Sequence, residues 1–354
     1  GTGGMEARGR WTAKWSEARA VKSLDARLAA IAAAPERTLR DEVEEWAAEG
    51  RDRPALIGAD ETLAYRDLYA QANRWARWAI VHGVEPGDPV VLLFPPRPER
   101  FAALVGLTAV GAVVVFADPR LAPETLAAAI GTIRPVHVVV DATRLDRFEA
   151  AAAHLRHACT VWVHGPHAMA YQRIDEALAT FAAVRLIGRD RRRLDHADPC
   201  LLVVEARDGG RPHVERLDQG RLLMIASEFA GLLGIGRDDR LTIVEDMLTL
   251  ETLLAPVIAL ACGAPCRLCD AHRPVPLGEP TVLHLDAAWR EPLPLSVRLL
   301  VTSARGPLTL AELADVVAEI RPRRWRLSHE DDRIVLDLDD RRIVLPLAAD
   351  AIRS

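Results

Sequence analysis

The chain has 354 residues, half of them hydrophobic and 27% charged, with a formal net charge of −5. That length supports roughly two or three domains around a substantial core, and the composition excludes a disordered chain or a small disulfide scaffold. The mild acidity gives no global field for nucleic acid, and five cysteines with no leader-like or membrane-spanning run predict a reducing, cytoplasmic setting.

Residues 1–4 precede Met5 and read as a vector-derived remnant. Residues 5–50 are expected to form an N-terminal helical segment. Within it Trp15, Ala18, Val21, Leu24, Leu28 and Ile31 recur every three or four residues, which predicts an amphipathic helix over 12–33. Trp11 and Trp15 stand beside Lys14, Arg19, Lys22 and Arg27, a mixture that also suits a membrane interface. A peripheral contact with the inner membrane face through residues 11–31 is therefore the alternative to packing on the domain or on a partner. A second helix is expected over 39–48.

From Pro54 onward short strand runs (90–94, 113–117, 137–140, 160–163) alternate with helical runs (65–82, 100–110, 123–130, 144–154). That alternation predicts βαβ units and a doubly wound, mostly parallel sheet, so residues 51–195 are taken as a first α/β subdomain. The polar segment Arg189-Asp190-Arg191-Arg192-Arg193-Leu194-Asp195 marks its end. Residues 196–320 repeat the scheme as a second α/β subdomain, with strands at 201–205, 241–244, 266–268, 282–285 and 297–301 and helices at 218–233, 249–261 and 309–320. Residues 321–354 form a short β segment, in which Asp339-Asp340 would turn between two strands.

Between the apolar run 201–204 and the helix beginning at Asp218 lies Glu205-Ala206-Arg207-Asp208-Gly209-Gly210-Arg211-Pro212-His213. A Gly-rich turn between a strand and a helix can cradle phosphate, because its backbone N–H groups point outward and no Cβ blocks close approach. This loop resembles the Thr-Ser-Gly-Thr-Thr-Gly-x-Pro-Lys element of the adenylate-forming superfamily of acyl-CoA synthetases, luciferases and peptide-synthetase adenylation domains. Gly210 and Pro212 match. Glu205, Ala206, Asp208 and Gly209 stand at the hydroxyl positions, Arg207 at the first glycine and His213 at the lysine.

Other stretches carry the same resemblance. Arg53-Pro54-Ala55-Leu56 with Leu63-Ala64-Tyr65-Arg66-Asp67-Leu68 is similar to the family's opening hairpin, and Val84-Glu85-Pro86-Gly87-Asp88 to its next turn. Arg97-Pro98-Glu99 through Gly111-Ala112-Val113 is similar to the helix and strand that follow. The wording over residues 40–143 is nearest the fatty-acid transport protein and very-long-chain acyl-CoA synthetase branch. The resemblance implies two α/β subdomains of the N-terminal domain type. It also implies an aromatic-Gly-x-Thr-Glu segment, a ribose-binding Asp and a C-terminal lid with a catalytic Lys. No tyrosine follows Tyr171, and too little chain remains past residue 320 for a lid.

Outside that resemblance, Cys262, Cys266 and Cys269 have the CxxxCxxC spacing of a four-iron site, but they run from an apolar helix into a strand and read as core thiols. His154, His157, His164 and His167 form two close pairs that read as surface histidines rather than zinc ligands. Arg321-Pro322-Arg323-Arg324-Trp325-Arg326 reads as a solvated turn entering a strand, with no nucleic-acid role. No Gly-x-Ser-x-Gly elbow is present.

The expectation is a truncated acyl-CoA synthetase-like pseudoenzyme that binds no cofactor and has no catalytic or metal-binding residue. It would serve as a partner, scaffold or regulatory subunit of a fatty-acyl or related acid-activating system, with self-association or a protein partner covering the face a lid would occupy. One alternative is a divergent ligase that uses Arg207 and His213 on ATP and magnesium, with its lid supplied in trans. The other is a bare acyl-binding module.

Overall fold

The computed structural model describes residues 26–50, 52–206, 211–273, 276–286, 293–303, 323–330, 333–338 and 341–346. In chain order its elements begin with α1 (described over 26–32), α2 (Leu39–Glu49), β1 (Pro54–Ile57), β2 (Thr62–Ala64), α3 (Tyr65–Val81), β3 (Pro89–Leu93), α4 (Pro98–Thr108) and β4 (Val113–Ala117). Then come α5 (Pro123–Ile133), β5 (His137–Asp141), α6 (Leu145–Ala152), β6 (Thr160–His164), β7 (Gln172–Arg173), α7 (Ile174–Ala179), β8 (Pro199–Glu205) and β9 (His213–Asp218). The remainder is α8 (Gln219–Leu233), β10 (Leu241–Glu245), α9 (Leu250–Cys262), β11 (Cys266–Asp270), β12 (Val282–Leu285), β13 (Leu299–Ser303), β14 (Arg323–Glu330), β15 (Arg333–Leu338) and β16 (Arg341–Pro346).

Two sheets organise the molecule, as the α/β reading expects. The seven-stranded sheet runs β7-β6-β5-β3-β4-β8-β9 and is parallel except for the β8–β9 pair. Its strands β3 and β4 are apolar at every position because helices cover both faces. Val90, Leu92, Val114 and Phe116 pack with α3 and α4 on one side, while Val91, Val115, Val138 and Val140 pack with α5 and α6 on the other. Helix α4 starts at Pro98, where a missing N–H costs nothing, and is buried along its whole length. It crosses α3 so closely that a Cβ on Gly106 would lie 2.3 Å from the Ala72 carbonyl oxygen.

The nine-stranded sheet runs β16-β15-β14-β13-β12-β10-β11-β1-β2, parallel from β14 to β1 and antiparallel at both margins. The two sheets do not part at residue 195. Strands β8 and β9 complete the first sheet through the parallel β4–β8 pairing, and the β1–β2 hairpin joins the second beside β11. Pairings this distant in sequence leave no mark in local composition.

Three further differences concern elements. Residues 214–217, assigned no element above, form β9 together with His213 and Asp218, their alternation disguised by a buried Glu215. Arg323–Arg326 lie within β14, parallel to β13, rather than in a turn. Strands β15 and β16 do pair as an antiparallel hairpin, with residues 339–340 outside the described set. The helix expected over 309–320, and residues 12–25 of the N-terminal helix with Trp15, also lie outside it, as does Trp11. Among the described residues no helix is long and apolar enough to cross a membrane.

Candidate functional site

In doubly wound sheets ligands gather where parallel strands end at their carboxyl side, at the point where strand order reverses. Here that point lies between β3 and β4, since β4 follows β3 on one side and β5 returns on the other. A cavity of about 330 Å3 opens there, walled by Phe94, Ala117, Leu121 and Phe148 and edged by Asp118 and Arg144. Asp118 is 1% exposed, and burial raises its carboxyl above the usual range against the pull of the Arg120 N–H and side chain. Its Oδ2 is shut off from solvent with no hydrogen-bond partner among the described residues. Burial lowers the Arg144 guanidinium against the pull of Asp270 and Asp141, and Arg100 and Arg147 add like charge. Among the described residues Arg144 makes neither a hydrogen bond nor an ion pair, whereas Arg147 donates to the Pro119 carbonyl.

The strand ends of both sheets are rich in carboxylates, most of them tied to arginines. Arg100, 2% exposed at its side chain, grips Glu245 at the end of β10 through two bonds of 2.7 and 3.0 Å. It also donates to the Phe94 carbonyl at 2.6 Å. Arg97 holds Asp141 at 2.7 Å, and Arg120 holds Asp246 at 2.7 Å. Asp286 accepts from the N–H groups of Asp246 and Met247 at 3.1 and 2.9 Å. None of these pairs was readable beforehand, because each joins residues far apart in sequence.

The expected phosphate loop is arranged differently from the strand–turn–helix reading. It connects two antiparallel strands, with Glu205 opposite His213 across the β8–β9 ladder. The helix N-terminus nearby belongs to α9, and the protein fills it itself. Glu205 is fully buried and accepts the Leu250 N–H at 2.8 Å, while Thr249 caps the Thr252 N–H. At the other end of the loop the His213 imidazole lies against the Glu215 carboxylate. Ala206, Arg211 and Pro212 complete its described part. Arg207, Asp208, Gly209 and Gly210 lie outside the described residues.

The cysteines do not converge. Residues three apart on a strand face opposite sides, so Cys266 packs into the core shared with Cys262 while Cys269 packs into another. Burial raises Cys262 and Cys269 to about 11, and Cys266 well above its usual value. The histidine pairs also divide. His154 and His157 line a cleft between α5 and α6, whereas His164 lies 3.9 Å from Glu99 and His167 bonds the carbonyls of Gly165 and Tyr171. Among the described residues no three His, Cys, Asp or Glu side chains form a group that could hold a metal ion.

Residues 43–203 match the model of the AMP-binding enzyme family. That stretch of the chain belongs to the adenylate-forming superfamily. The chain is 28% identical over 237 residues to the 3-hydroxybenzoate–CoA ligase of Aromatoleum sp. (strain CIB), covering 63% of this chain and 45% of that protein. It is 33% identical over 119 residues to the 3-hydroxybenzoate–CoA/4-hydroxybenzoate–CoA ligase of Thauera aromatica, covering 34% of this chain and 23% of that enzyme. The chain thus spans less than half the length of either relative. The fold is that of the anthranilate CoA ligase AuaEII, solved with anthranoyl-AMP. The TM-score is 0.71 at 17% identity, over 84% of this chain and 60% of that one. All three proteins are named for aromatic acids, so they lend no support to the fatty-acid wording of residues 40–143. Among the described residues no lid domain follows the nine-stranded sheet.

Proposed function

We propose that this chain does not form adenylates and serves as a partner or regulatory subunit of a carboxylic-acid-activating system. The observation that carries the reading is the buried Glu205 carboxylate bonded to the first N–H of α9. A triphosphate would find that N–H already taken by the protein's own carboxyl group, and displacing Glu205 would cost about 1–3 kcal/mol for the buried bond it breaks. His213, at the position of the family's lysine, is engaged with Glu215 and lies at the end of a strand. These residues do not fit ATP and magnesium, so no catalytic step is assigned to them. The test is pyrophosphate exchange with a panel of aromatic and fatty acids. No exchange is expected with any acid, and clear exchange with one would return the chain to the working ligases.

A second reading concerns the thiol substrate named in the relatives. The 330 Å3 cavity keeps apolar walls and the Arg144 guanidinium, which suits a ligand with a flat ring and a phosphate. We infer that coenzyme A or its thioester occupies it while the ATP side is closed. Calorimetric titration with coenzyme A should give binding that Arg144→Ala weakens by about tenfold, the value of one charge-assisted hydrogen bond. Equal affinity in both proteins would remove this reading and leave the first one standing. The apolar acyl module is supported less, because the cavity between α8, α9 and β12 holds only about 30 Å3. That is room for a water or two.

A further inference from the structure

We propose that the cleft between α5 and α6 binds a phosphate-bearing anion. It runs along α5 from Glu124 in the first turn to Arg134 at the C-cap, beside the chain that follows α6. The cleft encloses about 490 Å3, and its floor is the stripe of α5 where Ala128 and Gly131 leave space. The chain after α6 supplies the facing wall with His154, Arg156 and His157, and Arg134 closes the end at the α5 C-cap.

The charges in this cleft are out of balance. Its one carboxylate, Glu124, lies 3.5 Å from the His154 Nε2. Among the described residues the exposed side chains of Arg134 and Arg156 make no hydrogen bond or ion pair. The His157 Nε2 is shut off from solvent and has no partner either, a state that buried polar nitrogens seldom keep. In a chain of net charge −5 this is a local excess of positive charge. The ends of α5 and α6 oppose an anion with about half a charge each, which two full guanidinium charges outweigh.

An independent observation points the same way. Arg134 has φ 54°, the one non-glycine residue with positive φ among the described residues. Left-handed C-caps favour glycine, which has no Cβ to strain, yet this one carries a guanidinium into the cleft. Two guanidinium forks and an imidazole N–H match the several oxygens of a phosphate group.

The phosphate could belong to a soluble ligand or to a lipid headgroup, and the experiment separates them. The chain is titrated calorimetrically with inorganic pyrophosphate and, separately, co-sedimented with phosphatidylcholine vesicles with and without phosphatidic acid. Both arms include Arg134→Gly, Arg156→Ala and Gly131→Leu. Arg134→Gly relieves the backbone and so should fold at least as well as the parent. Gly131→Leu would fill the floor, since a Cβ there already stands 3.9 Å from the His157 ring. Pyrophosphate binding is expected, weakened by about tenfold in each arginine variant and lost in Gly131→Leu. Binding only to phosphatidic acid vesicles, with the same dependence on all three substitutions, supports the site with a lipid source. Binding in neither arm, or binding unchanged by the three substitutions, overturns it.

Discussion

At the scale of single residues the molecule is governed by what its buried charges touch. Glu205 is the clearest case, a carboxylate with no exposed surface whose oxygen satisfies an N–H at the start of α9. Glu205→Ala leaves that donor without an acceptor, and urea unfolding should report a loss of about 1–3 kcal/mol. Glu205→Gln keeps an acceptor oxygen and should lose less; equal losses would mean that the bond to Leu250 is not what matters. His284 on β12 gives a pH signature. Burial pushes its imidazole down to about 4, with Glu251 pulling the other way. An unfolded imidazole titrates near about 6.5, so below that value the unfolded chain takes up a proton that the folded chain refuses. The stability contributed by neutral His284 is therefore complete above about pH 6.5 and is lost as the pH falls toward about 4, by on the order of 3 kcal/mol. His284→Asn should flatten the decline between pH 7 and pH 4.5 relative to the parent. Parallel curves would show that His284 does not titrate in this window.

At the scale of elements, periodicity was readable where one influence dominated. Helices α3, α5 and α8 follow their apolar stripes, and β3, β4 and β5 their β-branched runs. The strand β9 was not readable, because a buried Glu215 and an exposed Arg216 sit among its apolar positions. With no strand expected between the glycines and the helix at 218, the segment looked more like a strand–turn–helix phosphate cradle than it is. The close crossing of α3 and α4 was also hidden, since nothing around Gly106 announces that Trp75 lies against it. A methyl group at that position would stand 2.6 Å from the Trp75 Cβ, and the helices would have to part. Gly106→Ala should therefore destabilise the protein by about 1–3 kcal/mol despite its better helix propensity. Thermal melting checks it, and a neutral or stabilising result would mean that the crossing is looser than described.

At the scale of the whole molecule, the two sheets are joined at their strand ends by charge. Arg100 on α4 and Glu245 on β10 are both buried, and Arg120 with Asp246 repeats the link at the surface. Removing one partner of a buried pair strands the other, so Arg100→Ala should cost about 3–5 kcal/mol, and Arg100→Met with Glu245→Leu should recover much of it. A double variant no better than the single one would argue against that account. The family was readable from residues 53–113 because their turns and glycines resemble its pattern in unbroken stretches. The way carboxylates occupy the strand ends was not, since it depends on pairings across the fold. That occupation is the basis for the reading of a ligase-like chain that does not use ATP. The measurement bearing on it most directly is calorimetric titration of the purified chain with Mg-ATP. The account predicts no binding tighter than about millimolar, since the α9 N-terminus and His213 are already engaged by the protein's own carboxyl groups and a few kcal/mol spent displacing them removes the usual nucleotide affinity. A micromolar dissociation constant would contradict it.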